Sequence, residues 1–432
     1  MPSVEYGGNT QNFDPYAGNN LTQGLGPILS RKEAAAFLTY LPPVPKNLDG
    51  VPKHIRLHML LGILDLHLAD VPGVSLQASI DLMLRQGYRY RNPDSPQIWR
   101  SISGTPYTHK TRRAPAMAGA IVGIPGVGKT QAVIRALSYY PQVIRHESFP
   151  RLVNGLDQMV WMSVDVPSSG KAKDLASNLM TAWDTTMGVW IPDYVPRFAD
   201  TLARVSRDGN RMLDEWRQVS ISHFLGFLHL DEVQNFFKIP TMERRKKRTN
   251  GDGSLELTLV EDECLKWILN LTNTWQVPLL VSGTPDGVAA LTTRMSNTER
   301  ISTGGYHKLS HFEDGEILEF RRVFLLQLAK YQYVQKKLPV TDELARLLIE
   351  LSGGVKRILI ALWIAAHKIA FERDTDDLLL RDFKQAAATY LAPLAPAVAA
   401  LRSGDPKRLG QYQDLLTKAD GFWASFWGEM TT

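Results

Sequence analysis

A glycine-rich stretch, "GIPGVGKT" at residues 123–130, sharply narrows the possible folds of this chain. It fits the phosphate-loop pattern G-x-x-x-x-G-K-[ST], follows the apolar run "MAGAIV" and precedes the helix-like segment "TQAVIRALSYY". A strand that turns through such a loop into a helix presents backbone N–H groups and a helix N-terminus to phosphate. A glycine-rich turn with a chance lysine is the alternative, which the flanking strand and helix disfavour. The motif therefore predicts a nucleotide-binding α/β domain.

Each residue type in the loop has a predicted task. The glycines let backbone N–H groups surround the phosphates of ATP, Lys129 reaches the β- and γ-phosphates, and Thr130 holds Mg²⁺. The predicted nucleotide-binding residues of the loop are Gly123, Gly126, Gly128, Lys129, Thr130 and Gln131.

Four apolar runs are predicted to be strands of one sheet. Each ends in a residue suited to a ligand site: "MAGAIVG" at Gly123, "MVWMSVD" at Asp165, "FLGFLHLDE" at Glu232 and "PLLVSGT" at Thr284. Continuous apolar runs of this length are typical of a parallel sheet covered on both faces, and helical segments separate these runs. We therefore expect an α/β sheet with its ligand site at the carboxyl ends of the strands.

The acidic pair in "LHLDE" is the second half of the predicted site. Asp231 would hold Mg²⁺ through water, and Glu232 would polarise the attacking water. The alternative is that both residues cap the next helix. An apolar run before the pair and a phosphate loop upstream favour the chemical role. His229 is interpreted as a core histidine of the strand.

Further candidate catalytic residues follow the fourth strand. Thr284 is a candidate γ-phosphate sensor that holds the lytic water, with Ser282 as the alternative and a simple turn at "GTPDG" nearly as favoured. Arg294 or Arg300 could complete the site of a neighbouring subunit, or lie on a solvated face. Arg357 lies at the start of a later predicted helix and could contact the γ-phosphate. Alternatively, it is an ordinary basic residue at a helix start.

The remainder of the chain is predicted to be mostly helical. Ser30 is expected to cap "RKEAAAFLTYL", and Ser75 to cap a helix that stops at Gly87. The predicted units are a flexible arm at 1–30, a helical extension with a loop at 31–112, the α/β ATPase domain at 113–315, a helical lid domain at 316–400 and a helical tail at 401–432.

Composition excludes several classes of protein. One cysteine, Cys264, rules out an intrachain disulfide and a zinc site built on cysteines, and it fits a reducing cytosol. The first 20 residues lack the basic and apolar regions of a signal peptide. The apolar stretch "ILIALWIAAHKIAF" is too short to span a membrane and predicts a buried helix. We therefore expect a cytoplasmic protein with no membrane partner.

Several longer stretches resemble one family of AAA+ ATPases. They are "RQGYRYRNP", "GIPGVGKTQAVIRALSYYPQVIRH", "QMVWMSVDVPSSGKAKDLASN", "LPVTDELARLLIELSGG" and "LAPAVAALRSGDPKRLGQYQDLL". Together they resemble TnsC, the ATP-dependent target-selection regulator of Tns-type bacterial cut-and-paste transposons, with TniB and MuB as more distant relatives. The resemblance covers roughly residues 30–416, and "YPQVI" and "ALRSGDP" are its most specific pieces.

This resemblance implies a fold and a function. The fold would be an AAA+ P-loop NTPase with a parallel central sheet, an N-terminal helical extension and a helical lid domain. Family members bind ATP and Mg²⁺ and assemble on duplex DNA as hexamer- or heptamer-like rings or as helical filaments. They receive a target-selector protein, which is of TniQ/TnsD type or CRISPR-guided, and recruit the transposase TnsB and the endonuclease TnsA. ATP hydrolysis disassembles the polymer.

The resemblance also carries residue assignments. Lys129, Thr130, Asp231 and Glu232 match the nucleotide and catalytic positions of the family, and "GYRYRNP" would lie on the adenine side. The arm before Arg31 and the tail after Thr417 fall outside the match, and the match does not fix which arginine acts across subunits.

The chain between the phosphate loop and the acidic pair is longer than a plain α/β fold needs. About 100 residues separate Lys129 from Asp231, whereas two βα units need about 60. The extra stretch carries arginines spaced three and four apart, which would share a helix face. Sequence-independent contacts to the DNA backbone are predicted there, with a solvated basic helix as the alternative. The first candidates are Lys171, Lys173, Arg204, Arg207 and Arg211.

Two further segments are candidate contact sites. The bases Arg244, Arg245, Lys246, Lys247 and Arg248 precede "TNGDGS", so they form either a second DNA contact or a solvated loop. In the tail, Phe422, Trp423, Phe426 and Trp427 form an aromatic stripe at helical spacing. That stripe either docks on the lid or binds a partner protein.

The leading hypothesis is an ATPase switch that assembles on DNA and regulates transposition. Two alternatives remain from the sequence. One is an AAA+ DNA motor or helicase loader, and the other is a signal-transducing ATPase without DNA binding.

Overall fold

The apolar runs predicted as strands lie side by side in one parallel sheet. The computed structural model describes residues 14–102, 114–204, 208–237, 262–294 and 303–404. Its strands are β1 at Ala118–Val122, β2 at Val143–His146, β3 at Leu156–Met159, β4 at Trp161–Asp165, β5 at Phe227–Asp231, β6 at Leu279–Gly283 and β7 at Tyr306–Lys308. The main sheet has the order β4-β5-β6-β1-β7, and each neighbouring pair is parallel.

All four predicted strands are present, and every residue of β1, β5 and β6 is buried. This burial on both faces is why these strands read as unbroken apolar runs. Sequence analysis missed β7, an edge strand of three residues whose outer two are exposed. It also missed the antiparallel pair of β2 and β3, whose polar residues show no apolar run.

The N-terminal helices are α1 at Asn20–Gln23, α2 at Arg31–Leu38, α3 at Lys53–Leu60, α4 at Val71–Tyr90 and α5 at Pro96–Ile102. The predicted cap of α2 is confirmed, because Ser30 and Glu33 form a reciprocal capping box. The predicted start and stop of α4 are wrong: Asp70 caps this helix, which runs through Gly87. Gly87 is needed there because an added Cβ would lie 2.6 Å from the Pro278 ring.

The helices around the sheet are α6 at Lys129–Leu137, α7 at Ala172–Trp190, α8 at Ala199–Ala203, α9 at Gly209–Ser222, α10 at Asp262–Asn273 and α11 at Pro285–Arg294. The extra material between the phosphate loop and β5 is therefore the β2–β3 pair together with α8 and α9. Helix α9 packs against α7 on one face of the sheet.

The C-terminal region is helical, as predicted. A π-helix at Glu319–Leu325 runs into one α-helical turn at Leu326–Leu328, and within the described residues four α-helices follow. They are α12 at Asp342–Ser352, α13 at Lys356–Phe371, α14 at Leu380–Thr389 and α15 at Ala395–Ser403. Helix α13 is buried over most of its surface, which explains its unbroken apolar sequence. Within the described ranges, no helix combines the length and apolarity needed to cross a bilayer.

Three apolar clusters hold the molecule together. One covers the sheet beneath α7, α9 and α10, and the second covers the other face beneath α4 and α6. The third fills the C-terminal helical region and includes Leu57 and Leu60 of α3. The buried Arg56 reinforces this last contact by donating to both carboxylate oxygens of Asp376, at 3.1 and 2.7 Å. The N-terminal extension thus packs on the sheet through α4 and on the helical region through α3.

Candidate nucleotide site

The phosphate loop joins β1 to α6 at the carboxyl edge of the sheet. Gly126 and Gly128 have φ angles of 83° and 100°, a left-handed conformation that favours glycine. Gly128 is the N-cap residue of α6, and no side chain caps this helix end. A Cβ added at Gly128 would have no atom within 4 Å, so the loop is open on that side. An open, uncapped helix start of this kind suits an anion such as phosphate.

Lys129 points its charge into the loop itself. Its side chain is buried, and Nζ donates to the carbonyl oxygens of Gly123 at 2.9 Å and Ile124 at 3.3 Å. Burial lowers the pKa of Lys129, although the nearby charges of Glu232 and Asp231 oppose the shift. A buried ammonium bonded to carbonyls of its own loop is well placed to bind phosphate oxygens. Gln131, on the first turn of α6, is exposed.

Asp231 and Thr130 are in direct contact. Asp231 ends β5 and is 2% exposed, and its Oδ2 accepts a hydrogen bond from the Thr130 hydroxyl. Its Oδ1 accepts from the Ser282 hydroxyl and, at 2.8 Å, from the Glu232 backbone N–H. Burial alone would raise the pKa of Asp231, but the hydrogen bonds from Ser282, Thr130 and the Glu232 N–H stabilise the carboxylate, and the pKa is lowered. The carboxylate is therefore held in its charged form, which a divalent cation requires.

A buried hydrogen-bond relay supports this carboxylate from inside the sheet. His229 is fully buried, and its Nδ1 lies 2.8 Å from the Ser163 hydroxyl and its Nε2 2.8 Å from the Ser282 hydroxyl. Burial lowers the pKa of His229 to about 4, so the ring is neutral near pH 7. Because the Ser282 proton goes to Asp231, the His229 Nε2–H donates to Ser282 and Nδ1 accepts from Ser163.

The role of His229 beside Asp231 was not predicted, and neither was that of Ser163. For His229 a signal existed, because residues two apart on a strand face the same side of a sheet. His229 stands two residues before Asp231, so its side chain was bound to point the same way.

Glu232 follows Asp231 in a strained backbone conformation. Its φ and ψ angles are 55° and 40°, in the left-handed region, where a side chain is uncommon. Glu232 stands at the N-cap position of a 3₁₀ helix, Val233–Phe236, but its side chain makes no capping bond. Burial and the charge of Asp231 raise the pKa of its carboxyl, and Lys129 opposes this. A raised pKa makes Glu232 a stronger base than an exposed glutamate.

Of the two predicted sensor candidates, Ser282 is the one in contact with the acidic pair. Thr284 lies just beyond β6, and its Oγ1 accepts the Gly287 N–H at 3.4 Å at the start of α11. Its backbone N–H donates to the Gln234 side-chain oxygen at 3.2 Å. Both residues therefore lie at the edge of the site, but only Ser282 bonds to Asp231 directly.

The helical region reaches the phosphate loop through Arg357. The Arg357 backbone N–H donates to the Gly126 carbonyl oxygen at 3.2 Å, and the side chain is exposed. Among the other predicted arginines, Arg294 is the last residue of α11, and Arg300 lies outside the described residues.

The segment "GYRYRNP", predicted to lie on the adenine side, packs against the residues before β5. Arg91 is buried, and its guanidinium donates to the carbonyl oxygens of Leu225 at 2.5 Å and Gly226 at 3.3 Å. Those two residues precede β5, so this segment lies at the amino ends of the strands, opposite the phosphate loop. The part of the extension nearest the loop is instead the start of α4, where Asp70 pairs with Lys356 at 2.8 Å.

The structure brings together part of the predicted DNA-binding set. Lys171 is at the N-cap position of α7, Lys173 lies in the first turn of this helix, and both are exposed. Gly209 starts α9 so close to them that an added Cβ would lie 2.6 Å from the Lys173 backbone nitrogen. The exposed Arg211, in the first turn of α9, therefore lies in the same neighbourhood, beside the carboxyl end of β4.

The prediction that Arg204 and Arg211 share a helix face is wrong. Arg204 ends α8, and Asp208 caps the separate helix α9 by accepting the Asn210 and Arg211 backbone N–H groups. The residues predicted as contacts that lie outside the described ranges are Arg207, Arg244, Arg245, Lys246, Lys247, Arg248, Phe422, Trp423, Phe426 and Trp427.

Residues 112–291 match a family model described as an AAA domain. No curated protein matches significantly. The similar solved structures include the Aeropyrum pernix ORC1 protein in complex with DNA, which is 13% identical over 80% of this chain and 82% of that chain, with a TM-score of 0.35.

The Aeropyrum pernix ORC2 protein is also similar in two structures. Its ADPNP-ADP complexes are 12% identical over 81% of this chain and 69% of that chain, with a TM-score of 0.37. Its ADP form is 11% identical over 73% of this chain and 79% of that chain, also with a TM-score of 0.37. These low scores add no argument about function. The family match, the phosphate loop and the five-stranded parallel sheet establish an AAA+ P-loop fold followed by a helical C-terminal region.

Proposed function

We propose that this protein is an ATPase that assembles on duplex DNA and regulates transposition, linking a target-selector protein to the transposase. In this proposal ATP favours the assembled form, and hydrolysis drives disassembly. The observation that carries it is the convergence of Lys129, Thr130, Asp231 and Glu232 at one strand edge, with the helical region resting on the same loop through Arg357.

The residues present suit Mg-ATP. Mg²⁺ prefers oxygen ligands and keeps several waters, so one hydroxyl and one carboxylate from the protein suffice beside the phosphates. Thr130 and Asp231 already touch and would hold the ion between them. Bound Mg²⁺ would neutralise phosphate charge. Lys129 would bind the β- and γ-phosphates, and Glu232 would accept the proton of the attacking water.

DNA binding is proposed on the exposed bases at the adjoining starts of α7 and α9. Lys171, Lys173 and Arg211 present side-chain charge beside two helix N-termini, a combination that suits phosphate groups. Such contacts would be independent of sequence. The part in transposition rests on the resemblance of "YPQVI" and "ALRSGDP" to the TnsC family.

The test combines an ATPase assay with electron microscopy of the protein on duplex DNA, with and without a non-hydrolysable ATP analogue. We expect rings or filaments that form with the analogue and that Glu232→Gln traps in the presence of ATP. Lys129→Ala should prevent assembly because phosphate binding is lost. Strand separation or directional movement would instead indicate a DNA motor, and the absence of ATP-dependent DNA binding would indicate a signalling ATPase.

A further inference from the structure

Gln234, a residue outside the predicted site, bridges two of its members. The Gln234 side-chain Nε2 donates to Oε2 of Glu232, and its Oε1 accepts the Thr284 backbone N–H at 3.2 Å. One amide thus connects the candidate base to the end of β6. The orientation of the amide is determined by its partners, because a flipped amide would face the carboxylate with oxygen and the N–H with NH₂.

Two glycines make room for this side chain. A Cβ added at Gly283 would lie 2.8 Å from Oε1 of Gln234, and one added at Gly287 would lie 2.5 Å from its Cβ. Both distances are below ordinary van der Waals contact, so any other residue would displace Gln234. The 3₁₀ helix that carries Gln234 therefore packs directly on the start of α11.

The bridge bears on how Glu232 would act. The backbone of Glu232 is in the left-handed region, an unfavourable conformation that persists only where its surroundings impose it. An amide orients the carboxylate and leaves its negative charge in place, whereas a lysine or arginine would neutralise that charge. Because the bond is to Oε2, the second oxygen, Oε1, is the one that would accept the proton from water.

We propose that Gln234 is a positioning residue that anchors the Glu232 carboxylate to the end of β6 and the start of α11, so that water activation depends on where α11 lies. This inference rests on the proposed ATPase function and deepens it. In this proposal Gln234 acts through Glu232, to which its amide is bonded.

The first test separates the hydrogen bonds of Gln234 from its packing. Gln234→Met keeps the length of the side chain and removes both hydrogen bonds. We expect kcat for ATP hydrolysis to fall about tenfold to hundredfold, as for a misplaced catalytic group. The dissociation constant of a fluorescent ATP analogue and the Tm without nucleotide should stay near their wild-type values. A wild-type kcat in Gln234→Met would overturn the proposal.

The matched control is Asn235→Ala. Asn235 lies on the same 3₁₀ helix, and its side chain donates to the Val166 carbonyl oxygen at 2.8 Å rather than to Glu232. The Asn235→Ala variant should keep kcat within about twofold of wild type, because the substitution removes no interaction with the transition state. If Asn235→Ala lost as much kcat as Gln234→Met, both losses would come from disturbance of the 3₁₀ helix, and the proposal would be overturned.

A double-mutant cycle gives the second test. If Gln234 acts through Glu232, Gln234→Met should cause no further loss of the residual single-turnover rate in a Glu232→Gln background. Additive losses would contradict the bridge. Gly287→Ala should also lower kcat, because its Cβ would meet the Cβ and the backbone of Gln234 and shift the 3₁₀ helix that carries the bridge. Absence of hydrolysis by the wild-type protein would instead count against the ATPase function itself.

Discussion

The backbone N–H of Arg357 donates a hydrogen bond to the carbonyl oxygen of Gly126 over 3.2 Å, which joins the helical region to the phosphate loop. Side chains complete the contact, because a Cβ added at Gly126 would lie 2.9 Å from Cγ1 of Val355. Occupancy of the loop therefore bears directly on helix α13. The same helix start is tied to the N-terminal extension through the half-buried pair of Lys356 and Asp70.

We expect Arg357→Ala to weaken ATP binding more than ADP binding. The charge of Arg357 contributes to the lowered pKa of Lys129, after burial, so its guanidinium is within electrostatic reach of the loop. Loss of one charge-assisted hydrogen bond would lower ATP affinity about tenfold. Titration with fluorescent ATP and ADP analogues measures both affinities. Arg346→Ala, which removes an exposed base of α12, is the control and should change neither.

Ser282 and Thr284 should respond differently to removal of their hydroxyl groups. Ser282→Ala leaves the His229 Nε2–H and one Asp231 oxygen without this buried partner, at a cost of about 1–3 kcal/mol in the free energy of unfolding. Thr284→Ala removes a helix cap worth about 1 kcal/mol and leaves Asp231 bonded. Thermal unfolding without nucleotide, followed by steady-state ATPase rates, compares the two.

We expect Ser282→Ala to be the less stable and the slower of the two variants. The opposite ranking, with Thr284→Ala inactive and Ser282→Ala near wild type, would indicate that Thr284 is the γ-phosphate sensor.

The phosphate loop and the strands could be predicted because their signals are local. The pattern of glycines with Lys129 and Thr130 is contained in eight residues, and burial on both faces makes each central strand an apolar run. The polar residues at the strand ends were found for the same reason. The start of α9 was missed although its signal is local: "DGN" at residues 208–210 is a typical cap and separates Arg204 from Arg211.

The hydrogen-bond relay around Asp231 could not be predicted from such local signals. Ser163, His229 and Ser282 lie on three neighbouring strands that are far apart in the chain, and only the strand order brings them together. The packing of "GYRYRNP" at the amino ends of the strands is equally non-local. Arg91 is fixed by carbonyl oxygens just before β5, a contact that no local pattern encodes.

His367 should make the stability of the protein depend on pH. It is fully buried in α13, its Nδ1 lies 2.8 Å from the Trp363 carbonyl oxygen, and burial lowers its pKa from 6.5 to about 4. Between these two values the unfolded chain binds a proton that the folded chain does not. Stability from this group is therefore present above about pH 6.5 and lost as the pH falls towards 4.

His367→Leu should reduce this loss. From pH 7 to pH 5.5 the wild-type protein should lose about 1 kcal/mol more free energy of unfolding than the variant. Urea denaturation at the two pH values measures the difference. His229 is present in both proteins, so its own contribution cancels. Equal losses in the two proteins would show that His367 is protonated alike in the folded and unfolded states.

Neutralising Lys171, Lys173 and Arg211 to glutamine should weaken binding to duplex DNA of any sequence. The slope of log affinity against log salt should become shallower by about 0.9 for each phosphate that the variant no longer binds. Fluorescence anisotropy with an ATP analogue, at several salt concentrations and on two unrelated duplexes, measures the slope. The control neutralises three exposed lysines of the helical region, Lys336, Lys337 and Lys384.

The salt slope decides between a DNA contact and general loss of charge. Both triple variants remove the same net charge, so a long-range effect of charge would lower their affinities alike. Direct phosphate contacts would reduce the slope only in the variant at the starts of α7 and α9. An unchanged slope there would assign Lys171, Lys173 and Arg211 to a solvated face, and the five bases at 244–248 would become the next segment to neutralise.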